Sequence, residues 1–586
     1  MAHSAWREPD ESWYPCSGRA KPNCTRREAD MKSLVPIALI VSLSLLAIPA
    51  SAREHCATRW FDPERTGIRP VSQLDMVPRH VGAHLMTPPP DPDVGDHWPW
   101  YIWLLNGYPQ ALVRECTVRG EGTTVYVVVE DSQWQTRVFQ DDVDAVVNAW
   151  DNASLGIHPD QGIYEINTTY FGAAPDQLDN DPKIYVLFYD FDIAADGFFW
   201  YFDMYPDGTQ PFHSNECEVV YINCSDNDPG GSYLISVMAH EFQHMIHWLT
   251  DQDEDLWVDE GMGELAMWLY GDPDPVVQFP NNPDNDLTTW NSTFADYVKT
   301  YLWTLYFYEH FGGQPSIWAV MHEPLNGVAG YDRVLDQIGS PMNFVDVYSD
   351  WTVANFIDDT SFEGGRYGYA GETLPTFASV TKSSYPVPTT SGAVLRYASD
   401  YLKFINGAPL RLRFDGADAG VWRPRVILRN GTTTHGVAEI PLDAFDVGTY
   451  NLFDFGETHD TAILVIGKTS PTGSTSYTYS TEGIPAGVEE HAQAGSLRLL
   501  PFAPNPAAGT SAIRLEVASP QRVEVDVVDV AGRVLRHLAA RELAAGLHEL
   551  DWDGKDDAGR SAPAGVYFAR ARAADGESAA KLIRLP

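Results

Sequence analysis

The stretch Val237-Met238-Ala239-His240-Glu241-Phe242-Gln243-His244, followed by Trp257-Val258-Asp259-Glu260-Gly261, decides how this chain reads. On a helix, positions i and i+4 lie about 40° apart around the axis and roughly 6 Å apart along it, so His240 and His244 aim two imidazoles at one point. Glu241 follows on an adjacent face, from which a carboxylate reaches a water on a metal without taking a coordination position. Apolar flanks at Leu234, Ile235, Val237 and Met238 bury the helix. Residues of this kind at this spacing point to a zinc-dependent peptidase with Glu241 as general base.

A catalytic zinc needs a third protein ligand and one open position. The pattern His-Glu-x-x-His-x-x-Gly-x-x-His of the metzincins is disfavoured, because His247 stands at the Gly position and Thr250 at the final His. Leu256 to Tyr270 has the periodicity of a second helix, and from it Glu260 completes a two-His, one-Glu site. Glu264, one turn on, competes with Glu260 and is read as the acceptor that orients a ligand histidine. His247 shares the face of the other two but lies about 10 Å along the axis from His240, so its expected place is behind the ligands or in the core. Phe294 to Phe311 reads as a helix; Tyr297 near its start is the candidate donor to a developing oxyanion, against the competing role of a packed core tyrosine.

With 586 residues, 44% of them apolar, the chain exceeds one hydrophobic core and divides into several folded domains. Met31-Lys32, the apolar run Leu34 to Ile48 and Ala50-Ser51-Ala52 form a secretory signal at 31–52, with 1–30 a mis-assigned start or atypical extension. No other run suffices to span a membrane. Beyond the signal stand Cys56, Cys116, Cys217 and Cys224, for which export predicts pairing, Cys56 with Cys116 preferred. A net charge of −42, from 81 acidic and 39 basic residues, argues against nucleic-acid partners and for a soluble, self-repelling surface. Acidic clusters at Asp272-Pro273-Asp274 and Asn281 to Asp286 make Ca2+ a second candidate ion beside Zn2+.

Residues 53–110, rich in Pro and Trp, read as an N-terminal segment or propeptide. Strands are expected at 123–129, 183–189 and 218–223, then the histidine helix, within a domain at 111–378. A linker is expected at 381–392, a β-sandwich at 393–485 and an all-β unit at 495–586, whose Val523 to Val530 alternates cleanly.

Around His240 to Ile246 and Trp257 to Gly261, with Ser214-Asn215-Glu216 upstream, residues 110–375 resemble secreted bacterial zinc peptidases of the hyicolysin type and the wider gluzincin group. That resemblance implies an α+β zincin-type catalytic domain, with His240, His244 and Glu260 on zinc and Glu241 as base. The interval from His244 to Glu260 is shorter than in thermolysin-like members, which keeps Glu264 open as the ligand. Pro504-Asn505-Pro506, Asp529 to Arg533, Trp552-Asp553-Gly554, Gly565-Val566-Tyr567 and Lys581 to Arg584 resemble Ig-like modules of flagellar hook-capping proteins and type IX secretion sorting domains. This implies contact with export machinery or the cell surface. The expectation is a multidomain, secreted or surface metalloendopeptidase acting on protein or peptide substrates. The alternatives are a zinc aminopeptidase, though the Gly-x-Met-Glu-Asn pattern is missing, and a non-catalytic adhesion or carbohydrate-binding protein on a degenerate scaffold.

Overall fold

The computed structural model describes residues 54–58, 88–89, 91–176, 179, 181–208, 212–418, 420–470, 475–484, 497–500, 505–517, 520–530, 532–544, 546–573 and 576–585. The extension at 1–30, the signal at 31–52 and part of the 53–110 segment lie outside them. Among the described residues, no helix is long and apolar enough to cross a membrane.

The first half is mixed α/β. Its strands are β1 (Glu54–Cys56), β2 (His97–Leu104), β3 (Gln110–Glu121), β4 (Val125–Glu130), β5 (Ile184–Tyr189), β6 (Ala195–Phe199) and β7 (Val219–Asn223). They form one sheet in the order β1-β6-β7-β5-β4-β3-β2. Every residue of β4, β5 and β7 is buried, as strands covered on both faces must be, and this accounts for their unbroken apolar runs. Eight helices accompany the sheet among the described residues: α1 (Gln140–Asp151), α2 (Ile163–Tyr170), α3 (Ser232–Thr250), α4 (Leu256–Tyr270), α5 (Phe294–His310), α6 (Gln314–Met321), α7 (Gly327–Gln337) and α8 (Phe344–Ile357).

Two edges of this sheet come from the segment expected to precede the domain. β2 pairs antiparallel with β3, and Trp98, Trp100 and Ile102 alternate inward. Pro99 is tolerated because β2 is an edge strand. Asn215 reaches across to β2, accepting from the Tyr101 amide (2.9 Å) and donating to the Tyr101 carbonyl (2.9 Å). At the far edge, β1 pairs parallel with β6.

The second half is all-β. β8 (Val380–Lys382), β9 (Thr390–Ala393), β10 (Ser399–Ile405), β11 (Leu410–Gly416), β12 (Arg425–Asn430), β13 (Thr433–Glu439), β14 (Val447–Leu452), β15 (Thr461–Gly467) and β16 (Ser476–Gly483) form sheets ordered β13-β12-β15-β10-β8 and β14-β11-β16-β9. The stretch 381–392 is therefore not a plain linker. β8 and β9 are the outermost strands of the two sheets and bury little, so their composition reads as loop. β17 (Leu497–Leu499), β18 (Ser511–Val517), β19 (Gln521–Asp529), β20 (Val534–Leu543), β21 (Gly546–Trp552), β22 (Gly565–Ala573) and β23 (Gly576–Arg584) make a further pair of sheets, β17-β18-β21 and β20-β19-β22-β23.

Three hydrophobic cores follow from this division among the described residues: one in the α/β half, one inside the nine-stranded sandwich, one in the last unit. The sandwich seats its outer face on α8. Ile427, Ile463 and Val465 join the first core, Tyr401 donates to the Thr352 carbonyl (2.6 Å), and buried Asp350 receives Arg366 (2.7 Å) and Arg425 (2.5 Å).

Candidate metal centre

Helix α3 is buried almost all round, by Leu234, Val237, Met238, Phe242, Met245 and Ile246, so polar groups within it need partners from the rest of the fold. His240, Glu241 and His244 are at most 2% exposed. α4 lies alongside and ends at Gly271, whose φ of 112° caps the last turn. The close approach of the helices depends on glycine. A Cβ on Gly263 would stand 2.7 Å from His240 ring atoms, and one on Gly261 would stand 2.5 Å from Thr304 Oγ1 of α5. On the sheet side, a Cβ on Gly197 of β6 would lie 2.9 Å from Val237 and 3.0 Å from Glu241.

The predicted ligands converge. His240 Nε2 and His244 Nε2 are 3.0 Å apart, and Glu260 Oε2 is 3.3 Å from the first and 3.8 Å from the second. Glu264 is not at this point; its Oε1 faces His240 Nδ1 at 3.4 Å, behind the ring. Asp259 takes the equivalent position for His244, with Oδ2 2.9 Å from Nδ1, and its Oδ1 lies 2.6 Å from His247 Nδ1. His247 thus sits behind the cluster and shares a carboxylate with His244. Tyr297 is buried at the same place, its hydroxyl 3.4 Å from both the amide nitrogen and the carbonyl oxygen of Cys56.

Cys56 is the residue whose place the sequence misjudged. Its sulfur lies 3.5 Å from His244 Nε2 and 3.5 Å from Glu241 Oε2, and no bridge to Cys116 exists: Cys56, Cys116, Cys217 and Cys224 are all free and buried. β1 and β3 stand five strand positions apart in the sheet, roughly 24 Å, whereas a disulfide spans under about 7 Å between Cα atoms. Nothing in the spacing of Glu54-His55-Cys56-Ala57-Thr58 marks a ligand, because its partners lie far off in the sequence. Asp259 could have been found, since it precedes Glu260 and the pair His244 and His247, three apart, presents one helical face to it.

Ligating atoms of Cys56, His240, His244 and Glu260 all lie within 4.8 Å of one another. With Zn–N of about 2.0–2.1 Å and Zn–S of about 2.3 Å, a tetrahedral ion needs N···N edges of about 3.3 Å and N···S edges of about 3.6 Å. The separations of 3.0 to 3.8 Å between N and O donors bracket the first value, and 3.5 Å from His244 to sulfur lies close to the second. Carboxylates face both Nδ1 atoms, and a cation between the rings would find them with Nδ1 protonated and both Nε2 lone pairs turned to it. Glu260 Oε2 and Glu241 Oε1 are buried without a hydrogen-bond partner among the described residues. The donor set therefore fits zinc.

The acidic surroundings favour positive charge at this point. Burial works to lower His240 and His244, yet contacts with Cys56, Glu260 and Glu264 hold His240 well above its ordinary value, and Asp259 and Cys56 do so for His244. Burial would raise Asp259, but His244 and His247 override it and hold that carboxyl far below the usual range. Glu241 is raised by burial, with His240 and His244 pulling the other way. The acidic clusters proposed for calcium face the chain's own groups: Asp286 pairs with Arg396 (3.3 Å), Asp284 accepts from the Leu395 amide (2.7 Å), and Asp272 accepts from Ser232 (2.5 Å).

Residues 505–577, within the last all-β unit, match the FlgD Ig-like domain family. Comparison with the curated proteins finds no match. Among solved structures, the chain is similar to dimeric latent PorU from Porphyromonas gingivalis at 16% identity and a TM-score of 0.16, covering 36% of this chain and 19% of that one. A β-glucuronidase from Ruminococcus gnavus is matched at 11% identity and a TM-score of 0.14, over 31% of this chain and 35% of that one. One from Lactobacillus rhamnosus gives 11% and 0.15, over 32% and 35%. The chain thus spans about a fifth of the first and about a third of the others, and alignments this loose define neither a shared fold nor a shared chemistry.

Proposed function

We propose that this chain is a zinc-dependent metalloendopeptidase, secreted or held at the cell surface, that hydrolyses peptide bonds in polypeptide substrates. The observation that carries the reading is the convergence of His240 Nε2, His244 Nε2 and Glu260 Oε2 beside the buried carboxylate of Glu241. His240, His244 and Glu260 would hold the ion. Zinc, when bound, supplies Lewis acidity for a scissile carbonyl and brings the pKa of water near neutrality. Glu264 and Asp259 fix the two imidazole rings from behind, so that each keeps its Nε2 lone pair forward. Glu241 takes the proton of the attacking water and delivers it to the leaving nitrogen, and its burial favours a carboxyl able to do both. Tyr297, whose ring centroid lies 6.4 Å from that of His240, would offer its hydroxyl to the oxygen of the scissile carbonyl. Export is supported by the apolar run and small-residue site within 31–52, and surface retention by the FlgD Ig-like match.

The test is hydrolysis of casein or gelatin with and without chelator, using the chain freed of residues up to Thr58, which leaves β2 in the sheet. Glu241→Gln is expected to keep its zinc and to lose activity by about 10²-fold or more, the usual worth of a general base. Undiminished cleavage by that variant, or by the chelated protein, would remove the peptidase reading.

A further inference from the structure

We propose that residues 54–58 keep the chain latent, with the Cys56 sulfur as fourth ligand of the ion and the segment lying where a substrate would lie. The inference rests on the peptidase reading and adds its regulation.

Each group needed for hydrolysis is engaged by this short piece. The Cys56 sulfur sits among His240, His244 and Glu260, in the corner that a catalytic site must leave open. Four protein ligands make a closed site, the form zinc takes in structural centres. Thr58 Oγ1 donates to Glu241 Oε2 (2.9 Å) and accepts from the Phe199 amide (2.8 Å), so the base is occupied and its clasp is anchored to the sheet. Tyr297 lies against the backbone of Cys56 on both its polar atoms. The free edge of β6 is covered as well, since β1 pairs along it and the Ala57 amide continues the ladder to the Gly197 carbonyl (2.9 Å). An extended substrate binds by adding itself to such an edge.

Activation then requires that β1 leave, and loss of the bond from the Cys56 sulfur to the ion loosens the three-residue strand enough for it to do so. Hydrolysis of a peptide bond beyond Thr58 frees β1 to leave and releases the fourth corner, Glu241 and the β6 edge together.

The experiment compares the full chain with Cys56→Ala, Cys56→Ser and Cys56→Ala/Glu241→Gln, each loaded with Co2+ for absorption spectra and with Zn2+ for cleavage of a quenched fluorescent peptide mixture. The unaltered chain is expected to give a thiolate-to-cobalt charge-transfer band that both single variants lack while still binding the ion. Both single variants should cleave at least tenfold faster than the unaltered chain, and the double variant not at all. A band absent from the unaltered chain, or equal rates for it and the single variants, overturns latency and leaves the peptidase reading intact. Binding of the ion by all four proteins with no cleavage by any, even after residues up to Thr58 are removed, overturns the peptidase reading and latency with it.

Discussion

Asp259 carries more of this site than its sequence position suggests. It orients His244, balances His247 and is itself held ionised by both. Loss of such a partner costs metal affinity about 10–100-fold, so Asp259→Asn is expected to weaken zinc binding by that factor, measured by competition with a chromophoric chelator. Away from the site, Asp203 gives a test of a different kind. It is buried, accepts from Tyr221 (2.6 Å) and the Asn215 amide (2.5 Å), and burial raises its pKa to about 7 despite those bonds. The folded value stands above the ordinary 3.8, so the native state binds the proton more tightly than the unfolded chain. Its stabilising contribution is full below 3.8 and is lost as pH rises toward 7. Asp203→Asn should therefore flatten the fall in stability across that window, read as urea midpoints at a series of pH values; an unchanged slope would assign the dependence elsewhere.

At the scale of elements, much of the framework was legible. The period of Leu256 to Tyr270 marked α4 at both ends, and the runs at 183–189 and 218–223 marked β5 and β7, because buried strands and helices write their burial into composition. The pairing of His240 with His244 was legible for the same reason: one helix fixes their spacing. β8, β9 and β1 were not, since their place comes from partners distant in sequence, and edge strands bury too little to leave a pattern. Cys56 was misread for a related reason, as only the pairing of β1 with β6 brings it to His244. The contact of α3 with α4 yields a sharp prediction. Gly263→Ala would push a methyl into the His240 ring, and overpacking of this kind costs about 1–3 kcal/mol. Thermal melting should drop and zinc affinity should fall with it; a variant that melts and binds as before would mean that His240 moves aside without consequence.

Over the whole molecule, three cores divide the labour. The α/β half holds every group of the candidate centre, the sandwich braces α8 through Asp350, Arg366 and Arg425, and the last unit touches the rest by sparse polar contacts such as Arg514 to the Pro341 carbonyl (2.9 Å) and Lys581 to Asp446 (3.5 Å). The net charge of −42 belongs to the whole sequence, whereas at the candidate centre one carboxylate, Glu260, meets Cys56, His240 and His244. That a divalent cation belongs there is the claim on which the rest depends. Elemental analysis of the purified chain beside His244→Ala tests it most directly: one zinc per chain is expected in the first and little or none in the second, whereas a zinc-free parent protein, or equal zinc in both, would contradict the account.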